Sequence, residues 1–192
     1  MRDALSLALA VEEAWADVPA PSLRETPLTA GNLNQEEADT FLDVSPMKVD
    51  IDSVGFLAAT PLDDLPPRAA AAYLGTFLRA VMMSLHEQQA VNFFADPLTR
   101  AHVITCLKEE RFWAAVVMPH IAGKQREVLL DVMHCMVHNR EDLGLDDADV
   151  DVFRARIAAA SMWRGSAPAK KYALHRADHG PVRRPLGPGG SA

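Results

Sequence analysis

The sequence predicts an all-α protein: a single compact, bundle-like domain of about six helices, with a short extended arm and a flexible basic C-terminal tail. Three observations predict this. Hydrophobic residues make up 49% of the 192 residues, enough for a real core, yet aromatics are only 6%. The apolar content is mostly Ala, Leu, Val and Met, and all but Val lose little entropy in a helix. Apolar residues also recur at spacings of three and four in several stretches, whereas strand-like alternation occurs in only one.

The first helix spans Asp3 to Trp15. Ala4 to Val11 is a short apolar run after Arg2, and Ala8-Leu9-Ala10 has the small-x-small shape of a signal cleavage site. The run is short for a signal peptide and Asp3 sits where positive charge belongs, so an amphipathic first helix is the better reading. Residues 18–33 hold three prolines and read as a loop. Asn34, with Glu37 three residues on, forms a capping box for a short second helix that Ser45-Pro46 stops.

Met47, Val49 and Ile51 alternate with Lys48, Asp50 and Asp52, which is strand periodicity. No partner strand is evident, so residues 47–59 are expected to form an extended arm packed on helices, or a small hairpin turning at Gly55. Free backbone groups on such an arm would suit pairing with a partner's sheet edge. Thr60-Pro61 resembles a cap followed by proline, and Pro66-Pro67 opens a long helix to about Ala90. In it Leu74, Phe77, Leu78, Val81, Met82 and Leu85 form one stripe. Asp96-Pro97 opens the next helix, carrying Leu98, Ala101, Ile104 and Leu107 up to the charged stretch at Lys108–Arg111. Phe112, Trp113, Val116 and Val117 make an apolar patch before Pro119. Ala122 to Asn139 is the clearest amphipathic helix, with Val128, Leu129, Val132, Met133, Met136 and Val137 on one face. Asn139 and Gly144 mark its end. Asp146 caps a last helix with Val150, Phe153, Ile157 and Ala160 or Ser161 inward. After Trp163 no apolar period survives. The domain is therefore set at residues 1–165, and residues 166–192 are read as a disordered Pro/Gly-rich tail.

The formal net charge is −7. From Arg164 onward six basic residues stand against Asp178 alone, net +5, which leaves −12 on residues 1–163. An acidic body argues against a dedicated nucleic-acid-binding protein. The tail basics Lys170, Lys171, Arg176, Arg183 and Arg184 are instead candidates for electrostatic docking on an acidic surface of another protein or of this chain itself. Only Tyr172 is aromatic there, so there is no stacking array for single-stranded nucleic acid.

One constellation invites metal chemistry. Glu127, Asp131, His134 and His138 share the polar face of the 122–139 helix, and histidines four apart can reach one divalent transition metal. Asp131 would be a third ligand or an orienting partner, and His86, His102 or His120 could complete the sphere. The competing reading, a solvated or partner-facing surface, is favoured. The pair lacks the Glu that follows the first His in zinc-protease helices and the duplicated Glu-x-x-His of di-iron bundles. Cys106 and Cys135 lie in no C-x-x-C pair and read as small buried hydrophobes in a reducing, cytoplasmic setting. Cys135 follows His134 directly, so the two point about 100° apart and make no nucleophile pair. Gly123-Lys124 lacks the upstream glycine of a phosphate loop. The methionines fall mostly at inward positions and read as core. No apolar run approaches the roughly 20 residues of a membrane span.

These observations favour a non-enzymatic interaction protein, an adaptor, regulatory or accessory subunit that binds another protein or a second copy of itself. Its proposed contact residues are the five tail basics together with Val49 and Ile51 of the arm, and it needs no cofactor. The alternative is a metal-binding protein or metal-dependent enzyme using His134, His138 and Asp131. A sensor with an apolar pocket between helices is a third reading, for which no residue speaks. The Ala- and Arg-rich usage is that of a GC-rich bacterial genome.

Overall fold

The computed structural model describes residues 2–21, 44–49, 62–63, 65–91 and 97–162, without the side chains of 88–91 and 97–98. Among these residues every regular element is helical. Helix α1 runs Ala4–Trp15, α2 Pro67–Val91 and α3 Pro97–Lys108. An irregular segment, α4, follows over residues 110–120: a turn at Glu110–Phe112, a π-helical stretch at Trp113–Val117 and a last turn at Met118–His120. Helix α5 is Gly123–His138, and after the single turn Arg140–Leu143 the last helix, α6, is Asp147–Met162.

Helix α2 is the central element. Ala69, Ala70, Ala71, Tyr73, Leu74, Thr76, Phe77, Leu78, Val81, Met82 and Leu85 are all buried, so it is enclosed on nearly every side and not along one stripe only. It packs against α1, α3, α4 and α5. Helix α1 buries Ala4, Leu7, Ala8, Val11 and Trp15 against α2 and α5. Helix α6 closes the other side, with Val150, Phe153, Ile157 and Ala160 turned onto α5 and α3.

The ends of the helices follow the cap chemistry written in the sequence. Asp3 accepts a hydrogen bond from the Ser6 amide at 2.7 Å. Asp146 accepts from the Asp149 amide at 2.8 Å, and the Asp149 carboxylate reaches back to the Asp146 amide. Gly144 takes the left-handed conformation, φ 66°. There Gly144 donates to the Glu141 carbonyl and Leu145 to the Arg140 carbonyl, a Schellman closure. The π stretch in α4 is not legible in the sequence. The Met118 amide reaches back five residues to the Trp113 carbonyl, and Pro119, which has no N–H to give, follows directly.

One local expectation is revised. Pro46–Lys48 forms a 3₁₀ turn where alternation predicts extended backbone. Three side chains spaced along α2 capture carbonyls in the turn and just before it. Tyr73 Oη donates to the Val44 carbonyl, Thr76 Oγ1 to that of Pro46, and Arg79 to that of Met47. Val49, 5% exposed, points into the core. The second helix expected at 34–45, residues 50–59 of the arm and the tail from 166 onward lie outside the described residues, apart from Val44 and Ser45.

Candidate functional site

Two features of the described residues carry chemistry: a cluster between the turn before α2 and the C-terminal half of α3, and an acidic end where α5 passes into α6.

The cluster joins Asp63, His102 and Cys106. His102 and Cys106 are four apart on α3, hence one above the other on the same face. Helix α3 is fixed by Val103, Ile104 and Leu107 in the core. Asp63 reaches the same place from the turn before α2, held between the buried Leu62 and Leu65. His102 Nε2 lies 3.5 Å from Asp63 Oδ1 and 3.6 Å from Cys106 Sγ. Their ligand atoms all fall within 4.8 Å of one another, and among the described residues no other three His, Cys or acidic side chains do so. The Leu62 amide also donates to Nε2, at 3.3 Å.

The cluster is graded from dry to wet. Cys106 is 2% exposed, the His102 side chain 16% and the Asp63 side chain 46%. Burial pushes the Cys106 thiol up to about 12, and the negative charges of Asp63 and Glu109 add to it. This geometry does not form a nucleophile relay. A Cys–His–Asp triad places the thiol on one ring nitrogen and the carboxylate on the other, whereas here both lie nearest the same Nε2. A thiol held protonated is also a poor nucleophile.

The acidic end comprises Glu141, Asp142, Asp146, Asp147, Asp149 and Asp151. All but the half-buried Asp149 are exposed. Local cations answer some of this charge: Arg140 pairs with Asp147 at 2.7 Å, Arg154 with Asp151 at 3.7 Å, and Lys108 with Asp149. Acids in the first turn of α6 are also stabilised by the helix dipole.

No protein-family model, curated protein or solved structure matches this chain. Its functional reading therefore rests on its own residues.

The histidine pair of α5 lies elsewhere. Asp131, His134 and His138 are exposed as the periodicity predicts, and their ligand atoms do not gather into a set of three. Asp131 turns toward Arg2 of α1, at 3.8 Å. His134 and His138 instead line a shallow surface groove with Arg140 and Arg154. Of the proposed partner-contact residues, Val49 is spent on this chain's own core, while Ile51, Lys170, Lys171, Arg176, Arg183 and Arg184 lie outside the described residues. Cys135 is buried, as the sequence implies. Sequence reasoning misses the Asp63 cluster because it weighs histidine pairs and treats Cys106 as a hydrophobe. The available signal is the four-residue spacing of His102 and Cys106; nothing local announces Asp63, which lies about forty residues upstream.

Proposed function

We propose that this chain is a helical interaction protein, an adaptor or accessory subunit that works by docking onto another protein without catalysing a reaction. The observation that carries this reading is the division of charge: +5 from Arg164 onward against −12 before it. Six of those acids fall within the eleven residues 141–151, at one end of the helical body. Complementary charge steers encounter and fixes register between protein surfaces, and its contribution falls as salt screens it.

Reversal of charge tests the reading at both ends. Glu141→Lys with Asp142→Lys alters the acidic end and leaves the Asp146 cap intact. Lys170→Glu, Lys171→Glu, Arg183→Glu and Arg184→Glu alter the basic segment. Each full-length variant is compared with the wild type by quantitative crosslinking in source cells and by binding to the purified partner at low and high salt. The expected result is a partner whose affinity falls with salt and with at least one of the two reversals. A partner bound equally well by both variants at every salt concentration would sink the reading.

A further inference from the structure

We propose that Asp63, His102 and Cys106 form a binding site for one tetrahedral divalent transition ion, Zn²⁺ in the first instance, with water as the fourth ligand. The argument begins with distance. Zinc bonds of about 2.0–2.3 Å at tetrahedral angles place neighbouring ligand atoms roughly 3.3–3.6 Å apart. The Nε2–Oδ1 and Nε2–Sγ separations are 3.5 and 3.6 Å. The Nε2–Oδ1 contact is too long for a good hydrogen bond, and both separations are close to the edges of a zinc tetrahedron.

The donor set agrees with the geometry. Imidazole, thiolate and carboxylate are the three side-chain ligands zinc takes, and a thiolate disfavours Mg²⁺ and Ca²⁺. The two helical ligands stand four apart, the spacing by which a single helix turn presents two groups to one ion. Leu62 and Leu65, both buried, hold the third ligand in place, so little ordering remains to be done on binding.

Charge balances as well. The ion brings +2; Asp63 supplies −1, and Cys106 supplies −1 as its thiol proton leaves to solvent. The S–H bond is exchanged for an S–Zn bond, and the finished site is neutral, which suits the burial of the sulfur. The ion takes the Nε2 lone pair and displaces the hydrogen bond from the Leu62 amide. Asp63 forms the half-exposed wall, so water completes the tetrahedron from that side. The site is independent of the charge-based docking reading and survives if that reading fails.

The test uses the full chain, purified untagged, stripped with chelator and titrated with Co²⁺ as a coloured stand-in for Zn²⁺. One cobalt per chain is expected, with a thiolate-to-cobalt charge-transfer band and the intense visible bands of a tetrahedral ion. One equivalent of Zn²⁺ should abolish both. Cys106→Ser should lose the charge-transfer band, whereas Cys135→Ala should keep it. Asp63→Asn, at a half-exposed position that leaves the core intact, should weaken binding on the order of tenfold or more. The double variant His134→Ala, His138→Ala should bind as wild type does. Absence of the thiolate band in the wild type overturns the site. So does its persistence in Cys106→Ser, wild-type affinity in Asp63→Asn, or loss of the ion in the α5 double variant. Far-UV circular dichroism of each variant separates a lost ligand from a lost fold.

Discussion

The indole of Trp15 lies across the backbone of α2 at Gly75, while its Nε1 donates to the carbonyl of Ala71 one turn earlier, at 3.2 Å. Trp15 is wholly buried at the end of α1, so this pair sets how closely the first helix approaches the central one. A β-carbon at position 75 would come within 2.7 Å of the ring's Cδ1 and closer still to two other ring atoms. A rigid indole enclosed on all sides cannot yield that space cheaply.

Gly75→Ala should therefore destabilise the protein even though alanine is the better helix former. Overpacking costs about 1–3 kcal/mol, which outweighs the ~1 kcal/mol gained in helix propensity. Urea unfolding checks it, and a variant as stable as wild type or more so would show that α1 does not sit against Gly75. The companion Trp15→Phe should lose the hydrogen bond to Ala71 and leave a void of the difference between the two rings, at a cost of roughly 1–3 kcal/mol.

Gly144 makes a different demand. Nothing lies within 4 Å of a β-carbon built there, so the constraint is its φ of 66° alone. Gly144→Ala should lose about 1 kcal/mol, the cost of left-handed backbone for an L-residue. Gly144→Asn should lose less, because asparagine tolerates that region. Equal melting midpoints for Gly144→Ala and the wild type would argue against the Schellman closure between α5 and α6.

How far these features were legible depends on whether their causes are local. The start of α2 follows from Pro66-Pro67, and the start of α6 from the Asp146 cap. Both are read within four residues, and both appear where the sequence places them. The turn at Pro46–Lys48 was not legible, because the donors that hold it, Tyr73, Thr76 and Arg79, lie about thirty residues downstream. Alternation over five residues cannot register partners supplied by a helix not yet reached. The candidate site divides in the same way. His102 and Cys106 share a helix face by spacing alone, while Asp63 joins them only through the packing of Leu62 and Leu65.

Asp3 supplies a pH signature. The Ser6 amide and then the Ser6 hydroxyl donate to its carboxylate, and they hold it below its ordinary value. A pKa depressed on folding stabilises the protein above the unfolded value of about 4 and ceases to do so as pH falls through the folded value. Asp3→Ala should therefore melt below wild type at neutral pH, with the gap narrowing at pH values under about 4. A gap that stays constant across the acid range would mean that the carboxylate does not cap α1.

The two cysteines report on the core from inside it. Cys106 and Cys135 are both buried, and burial pushes each thiol up, Cys106 to about 12. For Cys135 the Asn139 side-chain amide, 3.3 Å from the sulfur, works against that rise. In the unfolded chain both would return to about 8.5 and expose their sulfurs. The chelator-treated native protein should accordingly react with a thiol reagent at mildly alkaline pH only as fast as it opens, and then at both sites together. Denaturant should release two equivalents at once. Alkylation followed by peptide mapping separates the residues: fast modification of Cys106 in the folded protein would show that the α3 face is open, and would remove the dry wall from the Asp63–His102–Cys106 cluster. Slow, simultaneous modification would place both sulfurs in the one core that α2, α3, α5 and α6 share, because only opening of that core exposes them.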